Sequence, residues 1–275
     1  PRQLYPRPDS PLPSMASRLM ESPEKSRWRE SLFSWRALRR HSVWILAASA
    51  TGAVAALFRY LDDWSIQFSH WLATVSPWIQ PAMLFFGMIL ICRLRDRFFR
   101  GSDGTGIPQA IAALKIEDGP ARDNVLSWRI LIGKGLLLAI GLFAGMTIGR
   151  EGPSVHAGAC FMYLSNRWGN FQGWLVQRGL ILAGGAAGIA AAFNTPIAGV
   201  VFAVEEIGRS FEKENAGTIV RTVLVACIVC MALFGDYLFY GKLETRLEQP
   251  LEWLVVPVLG VVFGFLGGLF AQSLL

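Results

Sequence analysis

The sequence predicts an all-α, polytopic membrane protein built partly from broken helices, on three observations. The first is composition: of 275 residues, 53% are hydrophobic, 12% aromatic and only 17% charged. With a mean hydropathy of +0.40, that is more apolar surface than one globular core would hide. The second is a series of long apolar runs, at about 42–58, 71–92, 130–148, 180–204, 218–234 and 254–275, each near the roughly 17–25 residues that cross a hydrocarbon core. These runs are too long and too little alternating for barrel strands. In lipid every backbone N–H and C=O must be satisfied within the protein, so they are read as helices. The third is that glycine and proline interrupt the pattern at two places, 101–108 and 149–153.

Residues 1–41 are read as a cytoplasmic N-terminal segment. The first twenty are rich in Pro, Arg and Ser, a composition that predicts disorder. Ser22 and Pro23 then suit the cap and first position of a helix. Trp28, Leu32, Trp35 and Leu38 recur beyond them at helical spacing against a basic face, as in an amphipathic helix lying on a membrane. A solvated linker with chance periodicity reads equally well. Residues 42–275 are the transmembrane domain. The chain opens with Pro1, has Met15 as an alternative start, and stops inside an apolar run, so an incomplete protein is expected, lacking its C-terminal part.

The net charge of +6 is unevenly spread. Arg27, Arg29, Arg36, Arg39 and Arg40 precede the first run, and Arg93, Arg95, Arg97 and Arg100 follow the second. Basic loops stay on the cytoplasmic side, and two crossings between two such loops put the N-terminus inside. Arginines flanking apolar runs are topology signals far more often than phosphate-binding patches, so no nucleic-acid partner is predicted.

Cys92, Cys160, Cys227 and Cys230 are scattered; Cys227 and Cys230 sit in an apolar run without a redox context and read as small buried hydrophobes. His41, His70 and His156 stand at no metal-ligand spacing, so neither a metal nor another cofactor is predicted. An enzyme is disfavoured because no nucleophile–base pair or cofactor loop is legible.

The two breaks carry the functional reading. Interrupted helices in membrane transporters point their N-termini at a mid-membrane anion, because unpaired N–H groups and the helix dipole leave partial positive charge there. At Gly104, Thr105, Gly106, Ile107 and Pro108, the Thr105 hydroxyl and nearby amides are candidate anion donors, followed by a run, 109–114, too short to span. A phosphate loop is disfavoured, since no Gly-Lys-Ser/Thr follows; a plain cytoplasmic turn is the alternative. At Gly149, Arg150, Glu151, Gly152 and Pro153, a carboxylate stands between two apolar runs. A charge near the bilayer centre costs on the order of 2.5–3.5 kcal/mol, which marks Glu151 as functional. Ionised, it can take the anion's place at the helix end; protonated, it can leave. An ion pair with Arg150 alone is a poor explanation, because adjacent residues on a helix point in different directions. Gly145-x-x-x-Gly149, Gly184-x-x-x-Gly188, Gly260-x-x-x-Gly264 and Gly264-x-x-x-Gly268 are expected to let helix backbones approach closely.

These two motifs, with the stretch from Gly184 through Asn194-Thr195-Pro196 to Glu205-Glu206, resemble the CLC family of chloride channels and proton/chloride exchangers, in family order over about residues 20–275. The resemblance implies tilted helices forming the N-terminal half of an inverted repeat, a homodimer, and chloride and protons as the species moved. It implies a bacterial inner-membrane location with the N-terminus cytoplasmic. It assigns Glu151 as the external gate, Thr105 to a place usually held by serine, Glu206 as the internal proton-accepting glutamate, and Lys134 to the edge of the ion path. From the residues alone, Glu205 and Glu206 read as helix-end charges near Arg209, and Lys134 as snorkelling beside Arg129. Because Glu206 is present, the full-length protein is expected to be a proton-coupled chloride antiporter; a passive gated channel and a non-transporting membrane fragment are the alternatives. Without the second half, which completes the anion site, the chain alone is not expected to transport.

Overall fold

The computed structural model describes residues 35–171, 173–208, 213–235 and 253–273, and their regular structure is helical. Helix α1 runs from Trp35 to Val75, well past the apolar run that ends at residue 58. It continues because the charges that end the run pair along its own face: Arg59 lies 3.2 Å from Asp63 and 4.0 Å from Asp62. Pro77 then disfavours helical geometry in the residue before it, and α1 stops at Val75. Helix α2 occupies Ile79–Phe98. The run at 71–92, read as a single span, is therefore the end of one helix and most of the next. Trp35 and Leu38 are exposed residues of α1; Ser22, Pro23, Arg27, Trp28, Arg29 and Leu32 lie outside the described residues, and α1 passes residues 41 and 42 without interruption.

The chain then forms α3 (Ile107–Ala113), α4 (Gly119–Asp123), α5 (Trp128–Phe143), α6 (Glu151–Leu164), α7 (Asn166–Gly169), α8 (Trp174–Phe193), α9 (Pro196–Phe202), a π-helical turn (Ala203–Gly208) and α10 (Lys213–Phe234). Two further runs are also divided. The one at 180–204 breaks where Asn194 turns left-handed (φ 56) and Pro196 opens α9. The one at 130–148 breaks where Gly145 turns left-handed (φ 85) just beyond α5. Gly145-x-x-x-Gly149 is consequently not a helix-packing motif: Gly145 lies in a left-handed conformation beyond the end of α5 and Gly149 precedes α6. A second compact unit, Leu238–Leu275, contains α11 (Val255–Ser273), which carries Gly260, Gly264 and Gly268.

In the first unit the core is a crossing of α6 and α8 with backbone against backbone. A methyl group on Gly158 would enter the space of the Gly184 carbonyl, one on Gly184 that of Gly158, and one on Gly188 that of Ser154. Gly184-x-x-x-Gly188 thus packs as its spacing predicts, and Gly158 supplies the facing surface. Buried Ala157, Ala159, Ala183, Ala187 and Ala190 join the same cluster. Helix α10 covers α8 and α1: Cys230 Sγ donates to Ala191 O at 3.5 Å, and Trp44 Nε1 donates to Thr222 Oγ1 at 3.1 Å. Cys227 and Cys230 are buried free thiols.

The outside is apolar as well. Leu46 on α1, Phe85 and Phe86 on α2, and Ile228 on α10 are exposed. Among the described residues, five helical stretches are long and apolar enough to cross a membrane. Small residues inside and large hydrophobes outside are the arrangement expected where lipid, not water, contacts the surface.

Candidate functional site

The first break is shaped by three glycines in left-handed conformations, Gly101 (φ 90), Gly104 (φ 65) and Gly106 (φ 107). Gly106 caps α3, with Pro108 in its first turn. Its place has no room for a side chain, since a Cβ there would lie 2.6 Å from His156 Cβ and 3.0 Å from Gly152 O. Helix α5 holds the segment from behind. Lys134 is buried and its Nζ donates to Asp103 O at 3.1 Å and to Gly104 O at 2.9 Å. Arg129 Nε donates to Phe98 O at 2.7 Å, just upstream. Lys134 therefore grips the loop rather than snorkelling to an interface.

The second break places the start of α6 against the first. A methyl group on Gly152 would lie 2.6 Å from Thr105 O and 2.7 Å from Thr105 Cβ. The two motifs, nearly fifty residues apart in sequence, are thus packed backbone to backbone. Within α6 the earliest helical bonds come from Ser154, whose N–H and Oγ both reach Arg150 O, at 3.0 and 2.9 Å. The N–H groups of Glu151 and Gly152 precede them, and Pro153 has none; this leaves the donor-rich end that favours an anion.

Glu151 is half-buried at this end. Its Oε2 lies over Gly149, 2.5 Å from where a Cβ there would be, so only glycine leaves the carboxylate that position. Among the described residues the carboxylate has no hydrogen-bond or ion-pair partner. Arg150 is buried, and its side chain turns away: its Nε is 3.8 Å from Asp62 Oδ2 on α1. Thr105 is exposed, and its hydroxyl likewise has no partner among the described residues.

Glu205 and Glu206 are exposed on the π-helical turn. They line an open groove of about 930 Å³ with Thr195, Pro196, Ile197 and Phe202. Arg209 lies outside the described residues. The next residue, Ile207, is buried, and its Cδ1 and Val155 Cγ1 lie 2.9 and 3.5 Å from where a Cβ on Gly185 would be. The turn therefore docks on the same α6–α8 crossing that Glu151 opens. The structure brings Gly104, Thr105, Gly106, Ile107, Pro108, Lys134, Gly149, Arg150, Glu151 and Gly152 into one neighbourhood and sets Glu206 on a separate element.

Asp62 and His156 went unassigned in the sequence. The Arg59, Asp62 and Asp63 charges interrupting an apolar helix were the available signal for the first. His156 is fully buried, with Nε2 3.1 Å from Val125 O. It is spaced four residues before Cys160 on α6, and nothing in that spacing marks it as the wall of the first break.

Among the described residues, a helical bundle that is apolar outside, and in which two interrupted helices meet at a half-buried carboxylate, defines an integral membrane protein. Residues 87–275 match the family described as "Voltage gated chloride channel", and the chain belongs to that family. It is 33% identical over 204 residues to chloride channel protein CLC-d of Arabidopsis thaliana, covering 64% of this chain and 25% of that protein. Its fold is similar to that of a slow cyanobacterial Cl−/H+ antiporter, with a TM-score of 0.66, 26% identity, and coverage of 83% of this chain and 55% of the other. The chain thus spans about a quarter and about half of these two relatives.

Proposed function

We propose that these residues form the first half of a proton-coupled chloride antiporter, with Glu151 as the gate that alternates with chloride at the N-terminus of α6. The observation that carries the reading is the contact between the Thr105 loop and Gly152. It sets a hydroxyl and a carboxylate, both without a partner among the described residues, around one donor-rich helix end. An ionised Glu151 is attracted to that end, and protonation removes the attraction, so proton uptake and chloride entry are linked at one place. Backbone amides of Glu151 and Gly152, with the Thr105 hydroxyl, contact the anion. Lys134 fixes the loop and adds positive charge beside the path. Glu206, exposed in its groove on the turn that docks on the α6–α8 crossing, passes the proton toward the gate. The similarity to a Cl−/H+ antiporter supports coupled exchange over passive conduction.

The working unit is the full-length protein as a homodimer in a bacterial inner membrane. Its N-terminus and the arginines at 93–100 face the cytoplasm, as the charge distribution supports. Its role is transport and not catalysis of a chemical reaction. The test is reconstitution of the full-length protein into liposomes under a chloride gradient. Uphill proton movement supports exchange; chloride flux without proton movement identifies a channel; no flux of either overturns the transport reading.

A further inference from the structure

Away from the two breaks, the N-terminal end of α1, which the charge distribution assigns to the cytoplasmic side, carries Arg36, Arg39 and Arg40, three like charges at helical neighbour positions. Such pairs repel, and side chains so placed are destabilising unless something negative joins them. Among the described residues none of the three forms an ion pair or hydrogen bond through its side chain. They do not project into open solvent singly. With Trp35, Asn170 and Phe171 they line a cavity of about 700 Å³ between α1 and the turn joining α7 to α8. Asn170 holds that turn in a left-handed conformation (φ 50). Among the described residues no carboxylate lines the cavity.

The position along the membrane normal narrows the ligand. Arg40 stands two residues before the apolar run that begins at Ser42, and exposed Trp35 lines the cavity beside the arginines, as indole rings do at the headgroup boundary. Guanidinium groups match phosphate oxygens with paired N–H donors, and the aromatic wall suits the glycerol and first acyl carbons beneath them. Basic pockets between membrane helices on the cytoplasmic side are of the kind that hold anionic lipid headgroups. We propose that Arg36, Arg39 and Arg40 form a binding site for the phosphodiester headgroup of an anionic phospholipid of the inner leaflet. The site is independent of the transport reading.

The test uses the full-length protein in detergent and in phosphatidylcholine nanodiscs with and without phosphatidylglycerol. Native mass spectrometry counts retained lipid, and thermal unfolding reports stabilisation. Wild type is expected to retain phosphatidylglycerol and to unfold at a higher temperature with it than with phosphatidylcholine alone. Retention should fall about fivefold for Arg39→Gln and on the order of a hundredfold for the Arg36→Gln, Arg39→Gln, Arg40→Gln triple variant. The single variant keeps the question answerable if the triple variant does not fold. Arg93→Gln with Arg97→Gln, in the other basic cluster, should leave retention unchanged. Equal retention by wild type and the Arg39→Gln and triple variants overturns the proposal, as does an equal loss from the Arg93/Arg97 variant. Stabilisation by inorganic phosphate in the absence of anionic lipid, matching that by phosphatidylglycerol, overturns the assignment to lipid.

Discussion

Glu151 and Glu206 are the same side chain in two different settings. Glu151 is half-buried where two broken segments meet, with glycines at 106 and 152 placed so that no side chain fits and a glycine at 149 that leaves room for the carboxylate itself. Glu206 is exposed on a π-helical turn beside an open apolar groove. The first setting is over-determined, so small changes there should be felt in the fold as well as in transport. The second is loosely held, so its carboxylate can be changed with little structural cost. A proposed gate that must stop at one position and a proposed proton acceptor that must meet water call for that difference.

The comparison breaks if mutations near Glu151 are tolerated as easily as those near Glu206. The largest expected effect is from Gly106→Ala. It forces a side chain into a left-handed backbone and against His156, costing roughly 3–5 kcal/mol in unfolding measurements, or yielding no folded protein. Lys134→Met keeps the volume but removes the donor to Asp103 and Gly104 carbonyls, and should cost about 1–3 kcal/mol and slow chloride flux. Asp62→Asn weakens the ion pair to buried Arg150 and should cost about 1 kcal/mol, with a change in the chloride dependence of flux. Glu206→Gln should stay within about 0.5 kcal/mol of wild type by thermal unfolding while proton movement, and not chloride movement, is lost. If Glu206→Gln destabilises more than Lys134→Met, the two settings have been read the wrong way round.

Much of the site was legible in the sequence because glycine and proline are visible there and their backbone consequences are local. The breaks at 101–108 and 149–153 follow directly from those residues. What was not legible depends on partners distant in sequence. Nothing in Gly152 or Thr105 alone announces that they touch, and nothing in Arg150 announces Asp62, because the first contact arises where the loop before α3 packs on the start of α6 and the second where α1 packs beside it. Helix ends were misplaced for a related reason. Hydropathy sums composition and does not see that Pro77 and the left-handed Asn194 stop helices inside apolar runs, nor that Arg59 pairs with Asp63 and lets α1 continue. Gly145-x-x-x-Gly149 and Gly184-x-x-x-Gly188 have the same spacing, yet only the second faces another helix.

The most direct measurement of the central claim is anomalous scattering from bromide in crystals of the full-length protein, comparing wild type at high pH with Glu151→Gln. If the carboxylate and the anion share the end of α6, the variant should show a bromide peak beside the N–H of Gly152 and the Thr105 hydroxyl that is weak or missing in wild type. Equal peaks there in both proteins, or bromide bound in the variant only at sites remote from Gly152, would contradict the account.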